Sequence, residues 1–124
     1  MNPDDVNVTA RPLFLADQSD TSAQRYVFSY RIDIANGSDE TLLLLSRYWL
    51  ITHGSGRVEE VSGDGVVGQQ PEIAPGETHR YSSGAILESP VGTMEGHYLM
   101  RRPDGRKVKV RIPRFRLSMP GVIH

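Results

Sequence analysis

Hydrophobic and polar residues alternate along much of this chain with the two-residue period of β-strands. The clearest stretch runs from Tyr26 to Ile34, where the even positions are apolar and the odd positions include Ser29, Arg31 and Asp33. Because successive side chains of a strand point to opposite faces, this stretch predicts a strand with one buried face.

A second stretch, residues 42–52, is apolar on both faces. That pattern favours a central strand covered on both sides, with a buried helix as the alternative interpretation. Turn signals bound both stretches: residues 36–38 and 53–56 are rich in Gly, Ser and Asn, and Pro75-Gly76 suits the two central positions of a type II turn.

About seven strands result when the alternation in residues 6–14 is added. No stretch has good helical periodicity, and no linker-like segment divides the chain. Short strands at this spacing are typical of sandwich folds. We therefore expect residues 1–124 to form a single all-β domain, a seven-stranded antiparallel β-sandwich of the immunoglobulin or fibronectin type III kind.

The apolar positions change phase inside the last predicted strand. They are even from Val108 to Ile112 and odd from Phe115 to Met119, with Pro113 between the two sets. Keeping both sets on the inner face requires one extra residue, so we predict a β-bulge or bend at Ile112-Pro113. The other face then carries five basic side chains, which we call the basic strip: Lys107, Lys109, Arg111, Arg114 and Arg116.

Charge is unevenly distributed, although the formal net charge is only −1. Residues 101–124 hold eight of the fourteen Lys and Arg residues and one of the fifteen acids. Phosphate contacts to nucleic acid are one interpretation of the basic strip. The sequence pI of about 6.4 and the inward direction predicted for Phe115 argue against it. We prefer a charged, solvent-facing strand that resists edge-to-edge aggregation.

The composition also indicates a compartment. The chain has no cysteine, which excludes disulfides and thiolate chemistry and fits a reducing cytoplasm. No apolar run approaches the roughly 18 residues of a membrane helix. The first residues lack the basic and apolar regions of a signal peptide. We expect a cytoplasmic protein with no membrane segment.

One short motif invites a functional interpretation. Gly63, Gly65 and Gly68 match G-x-G-x-x-G, which in dinucleotide-binding folds opens a helix whose amides hold a pyrophosphate. Here Pro71 and Pro75 follow closely and would break such a helix. We interpret the segment as a glycine-rich loop connecting two sheets; the alternative is a loop whose free amides form an anion-binding nest.

Other candidate chemistry is weak. The four histidines lack metal-ligand spacing, and Ser82-Ser83-Gly84 lacks the nucleophile-elbow pattern. Glu59 and Glu60 are neighbours, so on a strand they point to opposite faces and cannot form an acid–base pair; they are best interpreted as solvated charges. We predict no catalytic residue, no metal site and no cofactor.

Several longer motifs, spread over nearly the whole chain, make it resemble the ApaG family. They are Arg25-Tyr26-Val27-Phe28, Arg47-Tyr48-Trp49-Leu50-Ile51-Thr52, Gly63-x-Gly65-Val66-Val67-Gly68-x-Gln70-Pro71, Ile73-Ala74-Pro75-Gly76-Glu77, Ser83-Gly84-Ala85-Ile86, Pro90-x-Gly92-Thr93-Met94-x-Gly96-His97-Tyr98, Phe115-Arg116-Leu117 and Ile123-His124.

The resemblance implies a bacterial ApaG domain with a fibronectin type III-like sandwich, often encoded beside the diadenosine tetraphosphate hydrolase. It implies relatives in larger eukaryotic proteins, including an F-box protein and a DNA-polymerase-interacting protein, where the domain mediates protein contacts. It also implies a genetic link to cobalt resistance and magnesium efflux. It supplies Gly63, Gly65 and Gly68 as a suspected phosphate loop, and no catalytic residues.

Two functional hypotheses follow from the sequence. The first is a non-enzymatic protein-interaction module that presents strand edges and loops, with residues 63–71 and the basic strip as partner-facing surfaces. The second is a nucleotide or polyphosphate sensor that holds its ligand, a nucleotide or pyrophosphate, with the glycine-rich loop. Any effect on cobalt or magnesium handling would then be indirect, through a partner protein.

Overall fold

The structure, a computed structural model, describes residues 2–122 as two antiparallel sheets. Strands β1, β2 and β6 form the smaller sheet, in that order, and the larger sheet has the order β4-β3-β7-β8, with the two-residue β5 paired to β3. The strands are β1 (Val6–Phe14), β2 (Tyr26–Asn36), β3 (Leu42–His53), β4 (Val58–Asp64), β5 (Glu72–Ile73), β6 (Thr78–Leu87), β7 (Val91–Arg101) and β8 (Lys107–Ser118). The predicted all-β sandwich is confirmed, and residues 42–53 form a strand, not a helix.

The core lies between the two sheets. From the smaller sheet it takes alternate residues of β2, such as Phe28 and Ile32, which are almost fully buried. From the larger sheet it takes Trp49, Tyr98 and Met100. This is the period-2 burial that the sequence predicts, and removing such apolar surface from water is the main stabilising term of the fold.

The predicted bulge in β8 is present. Met94 of β7 is opposite Phe115, and Gly96 is opposite Ile112. Two residues of β8, Pro113 and Arg114, therefore lie opposite one residue of β7, Glu95. Pro113 and Arg114 are both exposed, and Phe115 returns to the interior, where its ring centroid lies 5.9 Å from that of Trp49. The bulge therefore keeps one apolar face inward along the whole strand.

A second bulge, in β3, was not predicted. Leu44 is opposite Met100 and Ser46 is opposite Leu99, so Leu45 is the extra residue. Before it, even positions of β3 face the core; after it, odd positions do, beginning with Arg47 and Trp49. β3 is a central strand of its sheet, but it is not covered on both sides as expected, because its outer-face side chains are only half-buried. The bulge turns the charged side chain of Arg47 towards the other sheet.

The two sides of the sandwich differ. On one side the edge strands β1 and β8 approach each other. On the other side, the edge strands β4 and β6 stay apart, and a cleft of about 520 Å³ lies between the sheets. The open side is where the interior of the protein is accessible.

Candidate functional site

The open side forms a cleft with apolar and polar surface in about equal amounts, which we call the β4–β6 cleft. Val61 of β4 and Ile86 of β6 stand at its two rims, 37% and 49% exposed. A neighbouring cavity of about 200 Å³ shares part of its lining and extends to Val67, which is 63% exposed. The residues common to both cavities are Tyr30, Arg47, Trp49 and Ser83. Large exposed apolar side chains grouped around a concave surface are typical of binding sites.

Arg47 is the central charged residue of this cleft. The β3 bulge turns it to the inner face, where it is opposite Gly63 on β4 and Tyr98 on β7. Its Nη1 donates hydrogen bonds to the carbonyl oxygens of Asp64 and Gly65, at 2.9 and 3.0 Å. Within residues 2–122, no carboxylate lies within salt-bridge distance of its guanidinium.

Gly63 makes room for this guanidinium. A Cβ at Gly63 would lie 2.9 to 3.1 Å from the two terminal nitrogens and Cζ of Arg47. That is closer than ordinary van der Waals contact, so a side chain at Gly63 would push the guanidinium away from the two carbonyls. The first glycine of the suspected phosphate loop thus has a role in packing against Arg47.

Three tyrosines lie beside Arg47 and do not neutralise it. Burial raises the pKa of Tyr30, Tyr81 and Tyr98 above the ordinary value, and the nearby positive charge of Arg47 only partly offsets this effect. The hydroxyls of Tyr81 and Tyr98 are hydrogen-bonded to each other. All three phenols are therefore neutral at physiological pH, and the cleft retains the positive charge of Arg47.

The acid that lines the cleft, Glu59, is already paired. Its Oε1 lies 3.0 Å from Nε2 of His53 and 3.6 Å from Nη2 of Arg57. His53 is 2% exposed, and its Nδ1 accepts a hydrogen bond of 3.2 Å from the backbone amide of Glu88. Its Nε2 lies within hydrogen-bond distance of both Glu59 and Nη2 of Arg57.

The two neighbouring acids do point to opposite faces. Glu60 accepts a 3.0 Å hydrogen bond from Tyr48 on the outer face, while Glu59 faces inward. That part of the prediction is confirmed. The Glu59 side chain is 39% exposed, so it is a solvated charge in part, and the hairpin of β3 and β4 also brings it to the buried His53, a contact that was not predicted.

The glycine-rich segment is a loop, as predicted, but it connects β4 and β5 of the larger sheet and not two different sheets. Val66 and Gln69 exchange backbone hydrogen bonds of 2.8 and 3.0 Å, closing a tight turn at whose centre Val67 and Gly68 both have positive φ. Gly65 also has positive φ, and a Cβ there would lie 2.8 Å from the carbonyl carbon of Gln69.

Several amides of this loop are engaged. Those of Gly65, Val66 and Gln69 donate to backbone carbonyls, the first to Leu45 at 2.8 Å. Gly68 lines the cavity that Arg47 also lines. The structure therefore places the loop beside a cation, and phosphate binding by Gly63, Gly65 and Gly68 stays a prediction.

The basic strip is separate from the cleft. Its five side chains are exposed on the outer face of the larger sheet, along the edge strand β8. Next to it, Tyr48 and His97 stack with ring centroids 5.0 Å apart, and His97 is opposite Arg111. A partner contact at the strip also stays a prediction.

Two further observations concern the described part of the chain. Residues 2–122 contain no group of three or more His, Asp or Glu side chains arranged to hold a metal ion, and His124 lies outside that range. Within the same residues, no helix has the length and apolar character needed to cross a membrane.

Comparison with known proteins gives a consistent result. The family profile described as the ApaG domain matches residues 16–102. Protein ApaG of Mesorhizobium japonicum is 53% identical over 94% of this chain and 89% of its own length. Protein ApaG of Thiobacillus denitrificans is 52% identical over 96% and 94%. The crystal structure of an ApaA protein from Bordetella pertussis superposes with a TM-score of 0.91 at 46% identity, covering 95% of this chain and 96% of that one.

Proposed function

We propose a function for this chain, which belongs to the ApaG family. It is a non-enzymatic binding module, and it holds an extended segment of a partner protein in the β4–β6 cleft. One observation carries the proposal. Among the strands described, β4 and β6 are sheet edges without a further strand, and they face each other across the β4–β6 cleft. A sheet edge offers backbone N–H and C=O groups to an added strand, and pockets beside it select side chains.

The rims of the cleft provide the test. Ile86→Glu would place a charge on the rim of the cleft at β6, where Ile86 is 49% exposed. Leu13→Glu would place the same charge on an even more accessible apolar residue of β1, 62% exposed and outside the cleft lining. Both variants and the wild type would be used as bait in affinity purification from the native cell. We expect a partner that co-purifies with the wild type and with Leu13→Glu and is lost with Ile86→Glu. Equal recovery with all three baits would contradict the cleft as the binding surface.

The basic strip is proposed as a second, weaker contact surface of the same module. Its charges would attract an acidic region of the partner and mainly affect the rate of association and its salt dependence. Lys109→Glu combined with Arg111→Glu should slow association at low salt and have little effect at high salt.

We also propose that the module acts in the cytoplasm and influences cobalt resistance and magnesium efflux only through its partner.

A nucleotide or pyrophosphate sensor is the second candidate, and one observation favours it. Arg47 and Gly68 line the same cavity, which places a guanidinium beside the glycine-rich loop. Titration with ATP, GTP and diadenosine tetraphosphate should then shift amide resonances of residues 63–68 in NMR spectra. If the chemical shifts of these amides do not change at millimolar ligand, the sensor hypothesis is excluded and the protein-binding module is the better explanation.

A further inference from the structure

Resting on the proposed function, we infer that the partner segment bound in the β4–β6 cleft carries an aspartate or glutamate between apolar residues, and that Arg47 binds this carboxylate. The guanidinium of Arg47 faces the interior of a β-sandwich, yet no described residue supplies an opposing charge within salt-bridge distance.

The geometry of Arg47 leaves one edge of its guanidinium available. A guanidinium carries five N–H donors, and Nη1 is held by the carbonyls of Asp64 and Gly65. No described residue accepts a hydrogen bond from Nε or Nη2. Two parallel N–H donors on one edge of the fork match the two oxygens of a carboxylate. The two carbonyls therefore orient the side chain so that its remaining edge is ready for an acid.

The charges around the cleft have the right sign. Arg25 lines the same cleft and adds a second cation, so the lining holds two cations and one acid, Glu59. Arg57, which lies 3.6 Å from Glu59, also donates two hydrogen bonds to Glu88. Placing a charge in a partly desolvated site is costly unless it is neutralised by a partner. An acidic ligand removes this cost at Arg47, whereas a basic or neutral ligand does not.

The walls define the rest of the motif. Trp49, Ile51 and Met94 form the floor of the cleft, with Val61 and Ile86 at its rims. In an extended segment, side chains on one face recur every second residue, about 6.6 Å apart. The geometry fits an apolar-x-acidic-x-apolar pattern, in which the acid contacts Arg47 and its apolar neighbours contact the walls.

The test is selection from a displayed library of random nonapeptides on the wild-type protein. We expect enrichment of Asp or Glu flanked at two residues by apolar residues. A synthetic peptide of the enriched sequence should bind about 10- to 100-fold more weakly to Arg47→Gln, the range expected for losing a hydrogen bond to a charged group. Arg11→Gln, a neutralisation on the outer face of the smaller sheet, is the matched control and should leave the affinity unchanged.

Folding of the variants must be separated from recognition. Thermal unfolding would show whether Arg47→Gln is folded. Arg47→Lys keeps the positive charge but lacks the paired N–H donors of a guanidinium, so it should give an intermediate affinity. A charge swap provides an independent check: selection on Arg47→Glu should favour Lys or Arg at the central position, provided that this variant unfolds cooperatively.

These experiments separate the role of Arg47 from the role of the cleft. Peptides that bind the wild type, lose binding in Ile86→Glu and show no preference for an acid would overturn the role of Arg47 while leaving the cleft as a docking site. Absence of any cleft-dependent peptide would overturn both. Displacement of an enriched peptide by inorganic phosphate or ATP at lower concentration than by acetate would favour the nucleotide sensor and overturn the carboxylate inference.

Discussion

Replacing Gly96 with alanine should cost much more stability than the small size of the change suggests. Gly96 lies on β7 opposite Trp49, at the end of the β8 bulge. A Cβ there would fall inside contact distance of the Tyr48 carbonyl oxygen, 2.9 Å from the Tyr48 carbonyl carbon and 3.1 Å from Cα of Trp49. These are backbone atoms in the middle of the larger sheet, so they cannot move aside without separating β3 from β7.

The magnitude follows from two opposing effects. Gly→Ala at a backbone conformation that alanine tolerates stabilises a protein by about 0.4–1 kcal/mol, because the unfolded chain loses entropy. Overpacking of a rigid site typically costs about 1–3 kcal/mol, and occasionally more. Because every close atom here is backbone, we expect a net loss of about 3 kcal/mol or more for Gly96→Ala.

Gly84→Ala is the matched control. Gly84 also lies inside a strand, and its Cβ would meet a single atom, the carbonyl oxygen of Phe28 at 3.3 Å. We expect its free energy of unfolding to stay within about 1 kcal/mol of the wild type. Urea denaturation followed by tryptophan fluorescence gives both values from the midpoint and the slope. A Gly96→Ala protein as stable as Gly84→Ala would refute the close approach of β3 and β7.

Three further predictions concern the cleft, the outer face and the core. Gly63→Ala should displace the guanidinium of Arg47 and weaken binding of an acidic peptide, with a loss of stability under about 1 kcal/mol because the crowded atoms end a flexible side chain; peptide titration alongside urea denaturation checks this. Burial, aided by the charge of Lys109, lowers the pKa of His97 in the folded protein, so the unfolded state binds more protons and stability should fall as pH drops below about 6.5; His97→Gln should flatten the stability profile between pH 7 and 5, and an unchanged profile would contradict the prediction. Asn36→Ala should cost about 2–4 kcal/mol in urea denaturation, because the buried amide donates to Glu40 and Ile73 carbonyls at 2.8 Å.

The two bulges show how far the sequence alone could lead. In β8, Lys and Arg alternate with apolar residues, so the change of phase at Pro113 is visible and the bulge could be predicted. In β3, residues 42–51 are apolar in both phases apart from Ser46 and Arg47, so no alternation marks the extra residue at Leu45. The bulge that turns Arg47 inward could be recognised only from its pairing with β7.

The sequence by itself determined the strands, their turns, the sandwich class and the family, because these depend on local periodicity and on motifs read in order. The tertiary structure decided which edges remain open, where Glu59 finds His53, and that Arg47 and Gly63 meet inside a cleft. Such placements result from the register and order of all the strands together, through hydrogen bonds between residues far apart in the chain. The residues adjacent in sequence do not reveal how all the strands pair, and the candidate site of this protein depends on that pairing.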